Sequence, residues 1–269
     1  MEYQHLEVTV DQGVATLWLN RPEKRNALSE DMWGDIPRAM SKLDNDDEVR
    51  VIVLAGRGPA FCVGIDIEML ASLQPPSGSH ARRSREIHEK ILTLQQTASC
   101  LADSPKPVIA AVHGYCLGAG VDLITACDIR LASVDAVFSV RETRMGLVAD
   151  VGSLQRLPAI VGPATTAEMA FTGADFDARW ALEKGLVNSV HDDAAATLAE
   201  AQRLAGEIAA NSPLVLRGIK HVLAAGEGRN VKEALDYVAL WNSSFLLSND
   251  LTEAITAFLE KRAPRFDGT

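Results

Sequence analysis

Carboxylates set in apolar sequence, and glycine turns in front of helices, are the features of this chain that could do chemistry. Asp122 lies inside Leu117-Gly-Ala-Gly-Val-Asp-Leu-Ile-Thr-Ala-Cys127, and an ionised carboxylate buried there is costly unless it is paired or hydrogen-bonded. Glu142 stands in Arg141-Glu142-Thr143-Arg144, and Asp150 just before Val151-Gly152-Ser153. Each acid also has a plainer reading. Asp122 could be a cap or a hydrogen-bonded core residue, Glu142 half of a surface ion pair, and Asp150 the N-cap of the next helix.

Two glycine turns each follow a strand-like run: Phe61-Cys62-Val63-Gly64-Ile65-Asp66, and His113-Gly114-Tyr115-Cys116-Leu117-Gly118-Ala119-Gly120. A turn that enters a helix leaves backbone N–H groups unpaired, and the helix dipole adds positive potential there. Two such turns facing one point would form an oxyanion hole; taken singly, each needs no more than tight turning and close packing. His113 reads as a core or turn residue rather than a base, and Cys116 and Cys127 as core. Other chemistries are excluded by missing motifs: there is no G-x-S-x-G elbow, P-loop or H-E-x-x-H. Gly114-x-x-x-Gly118-x-Gly120 superficially resembles a dehydrogenase glycine turn. It lies mid-chain, however, and no Y-x-x-x-K follows, since Tyr237 has Trp241 four residues on.

These groups must be positioned by 269 residues, enough for one large domain or a domain with a helical appendage. Leu6 to Val10 and Val14 to Leu19 flank Asp11-Gln12-Gly13 and predict a hairpin. Ser29 is a candidate N-cap for a helix running towards Asp44, with Pro37 inside it. Val49 to Leu54 predicts a buried strand, and a short helix follows from Asp66. Gln74 to His80 reads as a mobile surface segment. Ile87, Ile91, Leu94, Ala98 and Leu101 mark an amphipathic helix over Arg82 to Asp103. Val108 to Val112 predicts a strand, Gly118 to Cys127 a buried helix, and Ile129 to Ala132 and Ala136 to Val140 short strands. From Gly152 onward helices predominate, apart from a strand-like piece at Leu186 to Val190. The natural division is a mixed core over 1–195 and a helical region over 196–269.

Apolar residues make up 47% and charged residues 23%, which excludes a disordered or fibrous chain. With 26 Lys plus Arg against 36 Asp plus Glu, the net charge of −10 argues against general nucleic-acid binding. The longest apolar region, Pro107 to Val140, is broken by His113, Asp122, Asp128, Arg130 and Asp135, so no membrane span is expected. Cys62, Cys100, Cys116 and Cys127 show neither a C-x-x-C pair nor zinc-like spacing, so free thiols and no metal site are expected. Residues 1–5 lack signal- or transit-peptide character and the last residues are not Ser-Lys-Leu. A soluble cytoplasmic protein is therefore expected.

Phe61-Cys-Val-Gly-Ile-Asp-Ile67 and Ala111-Val-His-Gly-Tyr-Cys-Leu-Gly-Ala-Gly-Val-Asp-Leu-Ile-Thr-Ala-Cys-Asp-Ile-Arg130 resemble the enoyl-CoA hydratase/isomerase (crotonase) superfamily. The resemblance runs from Arg21-Pro22-Glu23-Lys24-Arg25-Asn26-Ala27-Leu28 to Phe258-Leu259-Glu260-Lys261-Arg262. It implies an α/β fold, a crotonase-like spiral of ββα units with a helical C-terminal trimerisation region, assembling as a homotrimer or homohexamer. It also implies an oxyanion hole for an acyl-CoA thioester, with the N–H groups of Ile65 and Ala119 as donors. Ala119 stands where the family's glycine triplet has its central glycine, and a backbone donor survives that change. Hydratases usually carry Glu at both the Asp122 and Glu142 positions and no acid at that of Asp150. Asp122, Glu142 and Asp150, with Gly152-Ser-Leu-Gln-Arg-Leu-Pro158 behind them, resemble the Δ3,5-Δ2,4-dienoyl-CoA isomerases.

By that resemblance Asp150 takes the C2 proton of a 3,5-dienoyl thioester, Glu142 serves C6, and Asp122 supports and polarises the pocket. Arg25, Ala27, Gly64, Asp66, Ile67 and Gly118 are placed against the acyl-CoA. Phe258 and Lys261 of the last helix often contact CoA in the family. Basic residues available for its phosphates are Arg21, Lys24 and Arg25 near the start and Lys261, Arg262 and Arg265 near the end. No cofactor is implied, because CoA is part of the substrate. Two rivals stay open: a hydratase acting on a 2-enoyl-CoA, and a non-catalytic acyl-CoA-binding paralogue.

Overall fold

The computed structural model describes residues 3–71 and 77–269. Of the expected surface segment at 74–80, residues 74–76 lie outside the described residues. The chain opens with the hairpin β1 (Leu6–Asp11) and β2 (Val14–Leu19), paired antiparallel. Gln12 and Gly13 between them have φ of 46° and 81°, the pair of positive values that matches the twist of a tight hairpin. Strands β3 (Val51–Gly56), β4 (Val108–Val112), β6 (Ile129–Ser133) and β9 (Ser189–His191) add in parallel, giving the order β1-β2-β3-β4-β6-β9. A smaller sheet holds β5 (Tyr115–Leu117), β7 (Val137–Ser139) and β8 (Phe176–Asp177) in the order β5-β7-β8.

The chain thus winds as a spiral. β4 and β6 enter the large sheet, the strands after them enter the small one, and each pair is followed by a helix, α4 (Ala119–Thr125) after β5 and α5 (Ser153–Val161) after β7. Residues of β2, β3 and β4 are buried throughout, as strands covered on both faces must be. One face packs into the main core with Phe61, Phe138 and Leu28. The other carries Val51, Val53 and Ile109 under α8 (Ala194–Ala209), whose Ala201, Ala205 and Ala209 recur every four residues. Such a stripe of small side chains lets the helix lie close to the sheet.

Helix α1 (Glu30–Asp44) begins as expected, Ser29 accepting from Met32 N–H. Pro37 removes the N–H that would have reached the Trp33 carbonyl. The buried hydroxyl of Thr97 donates to that carbonyl instead, at 2.8 Å, so the proline leaves no orphan. Thr97 belongs to α3 (His80–Asp103), whose buried residues are Thr97, Ala98 and Leu101. The expected apolar stripe is therefore only partly covered, and Ile87 near the start of α3 is exposed. Two strands escaped the sequence reading, the three-residue β5 and two-residue β8, both too short to show a period of two.

Helices α6 (Pro163–Thr172) and α7 (Ala178–Glu183) complete the core. Helices α9 (Pro213–Gly226), α10 (Val231–Phe245) and α11 (Asn249–Glu260) form the tail. Lys220 anchors it: its ammonium donates to the carbonyls of Leu101 and Lys106 and to Asp128 at 2.9–3.1 Å. Among the described residues no helix is long and apolar enough to cross a membrane.

Candidate active site

The two glycine turns meet. Cys62 N–H donates to the Tyr115 carbonyl and Leu117 N–H to that of Cys62, at 3.0 and 2.9 Å, so the first turn pairs with β5 like a short strand. Ile65 forms a parallel bridge with Leu28, in which Leu28 N–H donates to Gly64 O and Asp66 N–H to Leu28 O. In that register the N–H of Ile65 itself faces the opposite side. Gly64 has φ +94°, and a Cβ there would lie 3.0 Å from Leu117 O and 3.4 Å from Ala119 N. A Cβ on Gly120 would meet Cys62 O at 2.7 Å. Glycine is needed at both positions because backbone touches backbone. Ala119 is the first residue of α4, so its N–H has no acceptor within the helix.

Ile65 and Ala119 both line a cavity of about 520 Å³. Ile65, Ala119, Asp122, Glu142 and Asp150 all line it, as do Arg25, Ala27, Gly64, Asp66, Ile67 and Gly118. Residues far apart in sequence are thus brought to one space, though each acid sits differently.

Asp122, on α4, is 1% exposed. Its Oδ1 accepts from the N–H and the hydroxyl of Ser153, at 2.6 and 2.7 Å. Asp122 therefore caps α5, whose own N-cap, Gly152, has no side chain to do so. The cap reading and the pocket reading hold together. Burial raises its carboxyl, while Ser153 and the positive charge of Arg156 oppose the rise.

Glu142 begins a single 3-10 turn, Glu142–Met145. The surface ion pair that its flanking arginines suggest does not form: Arg141 pairs with Asp175, and Arg144 donates to the Thr172 carbonyl. Glu142 Oε2 is buried without a hydrogen-bond partner among the described residues, and Oε1 lies against Gly118, 3.2 Å from where a Cβ would stand. Burial, then the negative charge of Asp122, pushes its carboxyl up to about 7.

Asp150 stands exposed at the cavity rim, its carboxyl raised by partial desolvation. It is not the N-cap of α5; that position is Gly152.

At the other end, Arg21 donates to Asp66 at 2.6 Å and to the Ala27 carbonyl, and Arg21 holds the Asp66 carboxyl below its usual range. Lys24 is paired with Glu68. Of this basic cluster Arg25 has no acid partner among the described residues, its guanidinium lying 5.8 Å from the Tyr115 ring centre. Phe258 and Lys261 are not brought to the cavity: both stand exposed at the end of α11, Phe258 at 83%. Arg262 is committed to Glu253 and Glu260. The sequence reading missed the apolar lining, Trp33, Leu70, Leu94, Met145, Leu147, Val148 and Val151. Trp33 and Leu94 lie on inward faces of α1 and α3, so helical periodicity could have found them.

The chain matches the enoyl-CoA hydratase/isomerase family over residues 9–269. It is 44% identical over 276 residues to the peroxisomal Delta(3,5)-Delta(2,4)-dienoyl-CoA isomerase of Arabidopsis thaliana, covering 98% of this chain and 97% of that one. Identity to the mitochondrial Delta(3,5)-Delta(2,4)-dienoyl-CoA isomerase of Homo sapiens is 42% over 264 residues, covering 97% of this chain and 80% of that one. The crystal structure of an enoyl-CoA hydratase from Bacillus anthracis superposes with a TM-score of 0.91 at 28% identity, covering 99% of this chain and 100% of that one. These relatives overturn the expectation of a cytoplasmic protein, since they are named for peroxisomes and mitochondria. Free cysteines and an acidic composition carry no address. Matched along nearly its whole length, the chain is a member of the enoyl-CoA hydratase/isomerase family.

Proposed function

We propose that the protein is a Δ3,5-Δ2,4-dienoyl-CoA isomerase. The observation that carries this reading is the convergence of Asp122, Glu142 and Asp150 on the cavity that Ile65 and Ala119 also line. The isomerase relatives at 42–44% identity support it.

The thioester oxygen lies between the N–H groups of Ile65 and Ala119. Asp150, the solvent-facing acid, takes a proton from C2, and the charge spreads over the thioester oxygen and along the diene to C6. The two N–H donors stabilise the dienolate oxygen. Glu142, whose carboxyl burial raises to about 7, delivers a proton to C6. Asp122 polarises the pocket while holding the start of α5. The sites of removal and delivery lie at opposite ends of the conjugated system, so two fixed acids serve where one would have to swing. Every step is a proton transfer, and no cofactor is needed beyond the CoA of the substrate. Arg25, which lines the cavity and has no acid partner among the described residues, is offered to its phosphates.

The functional molecule is a homotrimer, or a hexamer of two trimers. The folded chain exposes 14342 Å², against roughly 11,000 Å² for a compact monomer of this mass. Leu223, Leu235, Leu240, Leu247 and Phe258 of the tail stand exposed, and exposed apolar side chains of this kind support an association face there.

Incubation with a 3,5-dienoyl-CoA tests the activity. Growth of conjugated 2,4-dienoyl absorbance supports the isomerase. Hydration of a 2-enoyl-CoA without isomerisation, or binding without turnover, contradicts it.

A further inference from the structure

The loop that carries Asp150 is braced from two helices by side chains the mechanism does not use. Gln95 Nε2, on α3, donates to the Asp150 carbonyl at 2.7 Å. Arg156, on α5, donates from Nη1 to the Val151 carbonyl at 3.4 Å and from Nη2 to Ser99 Oγ at 3.1 Å. Gln95 and Ser99 are one turn apart and share a face of α3, so a single stripe of that helix reaches the loop directly through Gln95 and indirectly through Arg156. Gly152 makes room for this. A Cβ there would lie 1.8 Å from Arg156 Nη1, and its φ of +134° is one that side chains rarely adopt. The next residue, Ser153, is held by Asp122. The Asp150 carboxylate itself has no hydrogen bond beyond its own backbone among the described residues. Its position is therefore set by the main chain, and the main chain is set by this brace.

We propose that Gln95 and Arg156 are positioning residues, bracing α3 against α5 so that the Asp150 carboxylate stands at a fixed reach from the substrate carbon it deprotonates. The proposal rests on the isomerase reading for the role of Asp150. A brace of purely structural value would lower stability and leave the chemistry alone. A positioning brace slows proton removal at C2 in protein that remains folded, since misplacement of a catalytic group by about 1 Å costs up to roughly a hundredfold in rate.

The test uses the full-length protein with Gln95→Met, Arg156→Met and Arg156→Lys beside the wild type and Asp150→Asn. Turnover of 3,5-dienoyl-CoA, the primary isotope effect with substrate deuterated at C2, and amide exchange of residues 146–153 are measured. In Gln95→Met, kcat falls about tenfold or more with KM nearly unchanged, the isotope effect rises, and loop exchange quickens. Arg156→Met behaves likewise, and Arg156→Lys, which keeps a donor for the Val151 carbonyl, recovers most of the loss. Unchanged kcat, isotope effect and loop exchange in Gln95→Met and Arg156→Met overturn the brace; so does a loss of kcat with no change in isotope effect or exchange. If Asp150→Asn turns over like the wild type, the isomerase reading of that acid fails instead. Loop exchange then decides alone whether the brace exists.

Discussion

Asp122 Oδ1 accepts both the N–H and the hydroxyl of Ser153, within 2.7 Å, and so ties the acid of α4 to the first turn of α5. One carboxylate is at once a helix cap and part of the cavity wall. Removing it leaves two buried donors unsatisfied. Asp122→Ala is predicted to destabilise the fold by about 1–3 kcal/mol, whereas Asp122→Asn, which keeps an acceptor, costs less. Chemical denaturation of the two variants checks this, and equal stability of both with the wild type would contradict it.

Glu142 gives a pH dependence with a definite sign. Its carboxyl is raised from an ordinary 4.5 to about 7, so the folded state holds the proton more tightly than the unfolded one. Between those values the native state binds the extra proton, and stability falls as pH rises. The stabilisation is complete below pH 4.5 and gone above about 7. Glu142→Gln is therefore predicted to be more stable than the wild type above neutral pH, by on the order of 1–3 kcal/mol, with the gap closing in acid. The same variant loses isomerase activity. Urea titrations across pH and a rate assay check the pair.

Gly64 sits where the two turns touch, with φ +94° and 3.0 Å from a would-be Cβ to Leu117 O. Gly64→Ala pushes the turns apart and, on the proposed function, misplaces the Ile65 N–H as an oxyanion donor. Loss of one oxyanion donor costs about a hundred- to a thousandfold in kcat, and kcat in this variant is predicted to fall by that order. Steady-state kinetics with 3,5-dienoyl-CoA supply the check.

Thr97 serves the carbonyl that Pro37 leaves without its helical partner. Thr97→Val keeps the shape and deletes the donor. It is predicted to cost about 1–3 kcal/mol, the penalty for a buried unsatisfied group, with little change in kcat. Thermal and urea unfolding measure it.

The sequence made much of this legible. The hairpin, Ser29 as a cap, the buried strand after Val49 and the helix after Gly118 appear in the structure because short-range patterning controls them. The strand β5 did not announce itself: Tyr115–Leu117 is three residues long and exists only by pairing with β7 and with Cys62. Exposure of Ile87 was equally unreadable, since the period of α3 says which face is apolar and not how far the core extends beneath it. At the site, Glu142 looked like an ion-pair residue because the nearby acid that engages Arg141, Asp175, is distant in sequence. Asp150 looked like a cap because the residue that caps α5, Asp122, lies on another helix. The resemblance to a known family, rather than spacing, put all three acids in one pocket. Phe258 and Lys261, carried over in the same way, stand away from the cavity of their own chain.

The central claim, that separate acids remove and deliver the proton, is tested most directly by running the isomerisation in heavy water and locating deuterium in the product. Delivery from Glu142, equilibrated with solvent, predicts one deuteron at C6 of the 2,4-dienoyl product. Quantitative retention at C6 of the hydrogen taken from C2 would mean that a single carboxylate carries it across, and the account would be wrong.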